Sequence, residues 1–270
     1  MSVGTVTRGT TNTNRLRRVD RWLAAQPVLR RAADPLIVDL GYGASAVTTL
    51  ELHRRLARVR PDVEIVGIEI EPSRVETARD QLEEVRAAGT SFAADARIRF
   101  AVGGFEVPLP GGRRVAVIRA LNVLRQYPEG EVAAAWQLLL SRLQPGGVLI
   151  DGTCNEIGRV ASWIDVTADG PQHLTLSLRL ADLERPSIVA ERLPKALIHR
   201  NVEGERVHAF LAELDRQWQF NAALATYGAT QRWIASVQAM KDAGWPISGG
   251  RRRWRLGEVS VAWAAVAPAG

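Results

Sequence analysis

Short apolar runs separated by amphipathic stretches divide this chain into an alternating series. Leu36-Ile37-Val38 is a β-type run, followed by a helical pattern from about Ala46 through Leu50, Leu52 and Leu56 that ends before Pro61. Residues 64–70 read as a second strand, and 72–88 as a helix with Pro72 in its first turn and Gly89 just past its end. Residues 98–102, 115–118 and 148–151 are further runs of strand length, with a helical pattern over about 129–143 before the last. Regular alternation of strand and helix predicts a mostly parallel, doubly wound α/β sheet.

The pattern changes at both ends. Residues 1–13 are rich in Ser, Thr, Gly and Asn and have no period. Asn14 can cap a helix that carries Leu16, Val19, Trp22 and Leu23 on one face, and Pro27 interrupts it. Toward the C-terminus, residues 161–167 and 173–180 alternate around Asp169-Gly170-Pro171, which reads as a hairpin. Two helical patterns follow over about 205–224 and 229–243, and 254–265, interrupted by Gly257, reads as closing strands.

Chemistry concentrates where the first two strands end. The first ends in Asp39, and glycine then alternates in Gly41-Tyr42-Gly43. Without a Cβ, glycine permits a tight turn and close approach of a ligand to the backbone. The second strand ends in Glu69, an acid that can hold two ribose hydroxyls, one on each carboxylate oxygen. Strand, glycine turn and helix make the nucleotide-binding corner of an open α/β sheet. A dinucleotide fingerprint of a nicotinamide dehydrogenase also fits Gly41 to Ala46. Its acid is expected about 20 residues on, whereas Glu69 lies 28 residues beyond Gly41.

Val38-Asp39-Leu40-Gly41-Tyr42-Gly43 resembles the first motif of the class I S-adenosylmethionine-dependent methyltransferases. Val66-Gly67-Ile68-Glu69-Ile70-Glu71-Pro72 resembles the second, and the Pro145-Gly146-Gly147 turn before an apolar strand fits the same pattern. The likeness is most specific over residues 36–75 and thins toward Thr153; Ser45 stands where the family often has a third glycine. It implies a Rossmann-like fold: a doubly wound, mostly parallel seven-stranded sheet with antiparallel C-terminal strand(s), in one domain over residues 1–270. Within it, 1–34 would be an N-terminal helical lid over the acceptor site or a cover for the sheet edge. Residues 35–153 would be the cofactor-binding core, and 154–270 the completion of the sheet with a helical insertion.

The same resemblance implies S-adenosyl-L-methionine as cofactor and in-line methyl transfer as the reaction. The backbone at Gly41, Tyr42 and Gly43 would face the methionine and ribose end, with Asp39 holding the amino group directly or through water. Glu69 would take the ribose hydroxyls, and Ile70 would pack on adenine. Gly104 stands where the family commonly has an Asp for the adenine amino group. Phe105 is then a cover for the adenine face or a core aromatic, and Glu106 or a backbone carbonyl would take the amino group. Asn122, with Arg119 and Arg125 nearby, follows the fourth strand, where the methyl group should point. Asn122 and Arg119 are the catalytic candidates, and Asn122 also counts among the cofactor-side residues. An asparagine can orient a nucleophile but cannot serve as a base at neutral pH; it can also simply cap a helix. A protein that binds the same cofactor without turnover is the competing reading.

Composition adds less. Hydrophobic residues are 46% and charged residues 24%, ordinary for a soluble globular chain. Cys154 is the single cysteine, which excludes an internal disulfide and suits a reducing, cytoplasmic setting. No apolar run approaches the ~18 residues of a membrane helix. Of the 35 basic residues only Lys195 and Lys241 are lysines, and the net charge is +6. Arg15, Arg17, Arg18 and Arg21 form one basic cluster, and Arg251, Arg252, Arg253 and Arg255 another. With Trp22 or Trp254 stacking, these could hold nucleic acid phosphates. Trp254 among arginines on a strand would equally just separate two faces, so a small-molecule acceptor is favoured. The four histidines lack metal-ligand spacing and no metal is expected; His53 reads as a surface residue, and 195–200 as a pocket wall or an ordinary helix. Oligomeric state is not legible.

Overall fold

A computed structural model describes residues 2–87 and 90–269, so the expected helix end at Gly89 lies outside the described residues. In chain order the helices are α1 (Arg17–Ala24), α2 (Pro27–Arg31), α3 (Val47–Leu56), α4 (Pro72–Ala87), α5 (Val132–Leu140), α6 (Lys195–Ile198), α7 (Arg206–Phe220), α8 (Ala229–Asp242) and α9 (Arg251–Trp254). The strands are β1 (Leu36–Leu40), β2 (Glu64–Glu69), β3 (Ile98–Val102), β4 (Val115–Leu121), β5 (Leu143–Cys154), β6 (Val160–Thr167), β7 (Gly170–Leu178), β8 (Ile247–Ser248) and β9 (Glu258–Ala262).

All strands join one sheet in the order β3-β2-β1-β4-β5-β6-β7-β9-β8. Pairings from β3 to β5 are parallel, and those from β5 onward are antiparallel. Among the described residues the sheet thus has nine strands where seven were expected. The first five strands have the expected doubly wound arrangement. The surplus lies in the C-terminal half, where β6, β7, β9 and β8 extend the sheet as antiparallel neighbours.

Successive side chains on a strand point to opposite faces. On β1, Ile37 joins a core with Leu23, Leu29, Leu52 and Val75 of α1–α4, while Leu36 and Val38 join a core with Leu139, Phe210 and Trp233 of α5, α7 and α8. Burial on both faces is why the parallel strands read as unbroken apolar runs. The chain order reverses between β1 and β4, so their C-terminal ends open a crevice where ligands bind in open α/β sheets.

Two sequence expectations fail locally. Asn14 does not cap α1; it sits at φ 58° and bonds to Glu51 and Arg55 on α3. Residues 251–254 form α9 rather than a strand, because a four-residue basic–aromatic stretch fits one helical turn as well as a β alternation.

Candidate functional site

The crevice begins at the glycine turn after β1. Gly41 donates to the Ile68 carbonyl at 2.7 Å with φ 64°. Gly43 has φ 92° and donates to Glu69 Oε2 at 3.0 Å. A side chain at Gly43 would strike the Gly9 carbonyl, so the turn depends on glycine for close backbone approach. Glu69 is 1% exposed at the tip of β2, and its other oxygen accepts from the Ile70 N–H at 3.0 Å. Arg74 on α4 stands 3.7 Å from that oxygen. Tyr42 turns away from the crevice: its ring packs edge-on to Phe100 and its hydroxyl donates to the Arg74 carbonyl. Burial, followed by the charges of Glu69 and Asp39, raises its phenol.

Asp39 has a different fate from Glu69. Its oxygens accept from Arg119 Nε at 3.0 Å, Arg119 Nη2 at 2.6 Å and Thr49 Oγ1 at 2.7 Å. Arg119 also pairs with Asp20 of α1. The guanidinium is fully buried; burial works against its charge, but Asp20 and Asp39 more than compensate and hold its pKa above the ordinary value. Burial in turn pushes Asp20 up, against the pull of Arg119 and Arg55. Arg119 does not line the cleft. Its expected place at the methyl-transfer centre is corrected: it clamps β1, β4 and α1 together beneath the crevice floor. Asp39 lines the crevice with its carboxylate already occupied by this clamp.

Over β2 and β3, the chain covers the crevice itself. Phe105 N–H donates to the Val3 carbonyl at 2.8 Å, and Val3 N–H donates to Glu106 Oε2 at 2.7 Å. Thr5 N–H donates to Tyr127 Oη at 2.6 Å, Arg74 donates to the Thr7 carbonyl at 2.8 Å, and Ala44 N–H donates to the Gly9 carbonyl at 2.9 Å. Residues 3–9 therefore lie along the strand tips. The space left among Ile70, Gly104, Phe105 and Glu69 is about 20 Å³. Phe105 is buried and packs on Tyr127 with ring centroids 5.1 Å apart. The segment expected as a lid over an acceptor thus lies, at its front, in the place expected for adenine.

From the β1 tip across β4 to β5 the crevice is open, with a cavity of about 510 Å³ lined by Asp39 to Gly43 as well as by Leu121, Asn122 and Cys154. Asn122 lines it at φ 63°, a left-handed conformation that Asn tolerates better than most residues. It does not cap a helix. Its Oδ1 accepts from the Cys154 N–H at 2.9 Å and its Nδ2 lies 3.3 Å from Cys154 Sγ, tying the tips of β4 and β5 together. Burial raises the Cys154 thiol, so it stays protonated near neutrality. Arg8, Arg15, Arg125 and Arg192 face the same cavity, a set separated too widely in sequence to be recognised there.

The remaining sequence candidates lie elsewhere. Arg18 is buried on the C-terminal sheet, donating to Gly158, Ser177 and Leu256, and burial, with neighbouring arginines, lowers it to about 10. Arg21 and Arg253, one from each basic cluster, meet at Glu258. Trp22 packs against Trp163 and Trp254 is 2% exposed, so neither can stack on a base. His53 is buried rather than at the surface, and its Nε2 accepts from the Arg97 N–H. Lys195 and His199 contact each other outside the cavity. Among the described residues there is no cluster of three or more His, Cys, Asp or Glu able to hold a metal, and no helix long and apolar enough to cross a membrane.

Strand order and strand-tip residues define a Rossmann-like α/β protein whose parallel half runs β3-β2-β1-β4-β5. No family model and no curated relative matches the chain. Among solved structures it is similar to the magnesium protoporphyrin IX methyltransferase of Synechocystis PCC 6803, determined with bound S-adenosylhomocysteine, at 21% identity and TM-score 0.37. That alignment covers 50% of this chain and 52% of the other, so the chain spans about half of it. The CcbJ methyltransferase of Streptomyces caelestis aligns at 18% identity and TM-score 0.36 over 63% of this chain and 68% of its own. Human N-acetylserotonin methyltransferase, solved with S-adenosylmethionine, aligns at 22% identity and TM-score 0.35 over 53% and 36%. Alignments this partial do not decide function, which rests on the residues at the strand tips.

Proposed function

We propose that this chain is an S-adenosyl-L-methionine-dependent methyltransferase acting on a small-molecule acceptor. The observation that supports it most is the convergence at three adjacent strand tips of a glycine turn, the buried Glu69, and a donor–acceptor pair made by the Phe105 N–H and Glu106. That pair is the complement of the adenine edge, which offers a ring nitrogen acceptor beside an amino donor. Glu69 would exchange backbone N–H partners for a ribose diol, and Ile70 and Phe105 would flank the base. The residues fit the cofactor on one condition: residues 3–9 must leave the adenine end.

When bound, the cofactor supplies an electrophilic methyl group on its sulfonium. The chain's own part is alignment and exclusion of water. Asn122, fixed by Cys154, would present polar atoms to the acceptor beside the open cavity. Among the described residues that line this cavity, the carboxylates are Asp39, engaged by Arg119, and Glu156 on an exposed loop. Asp39 is thus committed to the clamp, and Glu156, two residues after Cys154, is the carboxylate of this lining left to serve as a base, unless the acceptor's nucleophile is already reactive at neutral pH. The single buried cysteine goes with a reducing, cytoplasmic setting.

The test is transfer of label from methyl-labelled S-adenosylmethionine into fractions of a cell extract, alongside calorimetry with S-adenosylhomocysteine. The reading expects stoichiometric binding and label in a low-mass fraction. Binding without transfer into any fraction would favour a non-catalytic binder, and no binding would remove the cofactor assignment.

A further inference from the structure

The open cavity carries more positive charge than the chain neutralises. Arg8, Arg15, Arg125 and Arg192 line it, and among the described residues none of the four lies within ion-pairing distance of a carboxylate. Other guanidinium groups near the crevice are paired, as Arg119, Arg55 and Arg74 are. The arrangement is built rather than accidental. Thr153 and Ser162, from β5 and β6, both donate to the Arg192 carbonyl, fixing its backbone and leaving its side chain free. Arg125 donates to the Glu191 carbonyl at 2.7 Å, which holds it beside Arg192. Arg8 is docked nearby through its N–H on Gln126 at 3.0 Å. Burial and then the charges of Arg192 and Arg8 depress Arg125, against the pull of Glu191. The carboxylates that line the cavity are Asp39, engaged by Arg119, and the exposed Glu156.

We infer that this cluster is an oxyanion subsite for the acceptor, which carries a carboxylate or phosphate group. The inference rests on the methyltransferase reading. The same cavity takes in Asp39 to Gly43 at the tip of β1, where the cofactor's methionine end is expected, so the acceptor is assigned to the two arginines farthest from that tip in the sheet order. Arg125 follows Asn122 and bonds to the Glu191 carbonyl, and the Arg192 carbonyl is held by Thr153 of β5 and Ser162 of β6. Arginine's planar donor array suits either oxyanion.

The experiment uses protein saturated with S-adenosylhomocysteine and four probes: benzoate, phenyl phosphate, and their neutral counterparts benzamide and phenol. Calorimetry is expected to show one anion binding at least about 10-fold tighter than its neutral partner, which also tells carboxylate from phosphate. Arg192→Gln should remove most of that preference while leaving unliganded thermal stability equal or higher, since it relieves repulsion. Equal binding of charged and neutral probes overturns the inference, as does a preference that survives Arg125→Gln with Arg192→Gln. An equal loss of S-adenosylhomocysteine affinity in those variants would assign the arginines to the cofactor instead. Failure to bind S-adenosylhomocysteine at all would sink the methyltransferase reading. The same titrations on the unloaded protein still test the anion subsite.

A different observation carries a second proposal. Val3 offers a carbonyl to the Phe105 N–H and an N–H to Glu106, the same acceptor–donor pair that an adenine edge would offer. Its side chain and that of Val6 point to solvent, 45% and 53% exposed, so backbone bonds rather than apolar burial hold the segment. The geometry points to residues 3–9 as an internal competitor of the cofactor, occupying the adenine subsite until the cofactor displaces it. A site available only in the open fraction binds with an apparent Kd raised by that fraction.

Gly4→Val and Val3→Pro test it. A Cβ at Gly4 would approach Tyr127 Oη to 2.9 Å from a backbone at φ 134°, and proline removes the N–H given to Glu106. Both variants should bind S-adenosylhomocysteine about 5- to 10-fold tighter, and the Phe105 amide should lose its protection from hydrogen exchange in the absence of ligand. Weaker binding would make the segment a clamp over bound cofactor, and unchanged binding would take it out of the subsite; either result overturns the proposal. An unprotected Phe105 amide in the unliganded wild-type protein would overturn it without reference to any cofactor.

Discussion

At the end of the cleft proposed for adenine, over β2 and β3, the chain satisfies its own polar groups: Phe105, Glu106, Tyr127 and Arg74 all bond to residues 3–7, and about 20 Å³ remains. At the other end, from the β1 tip to β5, about 510 Å³ is bounded by arginines that have no carboxylate partner among the described residues. One sheet edge thus offers a filled subsite with exchangeable backbone partners and an open subsite with unspent charge. The difference bears on specificity. Groups that accept a strand of peptide backbone can accept another ligand with the same donor and acceptor order. Unpaired guanidinium groups call for an anion.

The largest effect should come from the clamp beneath the open end. Arg119→Met leaves Asp20 and Asp39 buried without their partner, and denaturant titration should show a loss of about 3–5 kcal/mol. A loss below about 1 kcal/mol would mean that Asp39 is free to serve a ligand and that the two ends differ less than the geometry implies.

The opposite face of the same sheet carries a pH signature. Asp151 on β5 is buried with only Trp136 donating to it, and burial raises its carboxyl to about 7. A carboxyl raised on folding favours the folded state at low pH. Its contribution is complete below the ordinary value near 3.8 and is lost as pH climbs to about 7. Over that window stability should fall by about 1.4 kcal/mol per pH unit from this group, and then level off. Asp151→Asn keeps an acceptor for Trp136 and should flatten the profile; an unchanged profile would show that Asp151 ionises normally.

Glu69→Ala addresses the adenine end. Loss of the ribose diol contact should weaken S-adenosylhomocysteine by about 1.5–3 kcal/mol, measured by calorimetry. Equal affinity would confine Glu69 to holding the Gly43 and Ile70 N–H groups. The smallest effect belongs to Asn122→Ala. It should leave cofactor affinity within about 3-fold and slow transfer about 10-fold, a cost of about 1.4 kcal/mol for one misplaced hydrogen-bonding group. A matching loss of affinity would move Asn122 to the cofactor side of the boundary.

The glycine turn and the acid at the next strand tip were legible in the sequence because their signals are local. Gly41, Gly43 and Glu69 sit at the ends of apolar strands, and the turn chemistry of glycine ties them to the strand tips. The fate of Asp39 was not legible, since Arg119 and Asp20 come from β4 and α1 and only the fold brings the three together. Residues 3–9 have no period and no anchor side chain; their docking depends on backbone groups, which every sequence possesses. Trp254 was placed on a strand because alternation over four residues is ambiguous between strand and helical turn. The open end was hidden for a third reason: Arg8, Arg15, Arg125 and Arg192 lie in unrelated segments, so that Arg15 read as part of a local basic cluster and Arg125 as a neighbour of Asn122, and only the fold brings the four to one cavity. The added strands beyond β5 were legible as a hairpin and a closing run, but their number depends on pairings between distant segments.

The most direct test of the account is a crystal structure of the protein grown with S-adenosylhomocysteine. The account predicts the ribose diol on Glu69, the base between Ile70 and Phe105 with its edge on the Phe105 N–H and Glu106, and Val3 displaced from that pair. The cavity bounded by Arg125 and Arg192 should remain open beside the sulfur. Ligand bound elsewhere, or Val3 still seated on Phe105 with the ligand in place, would contradict it.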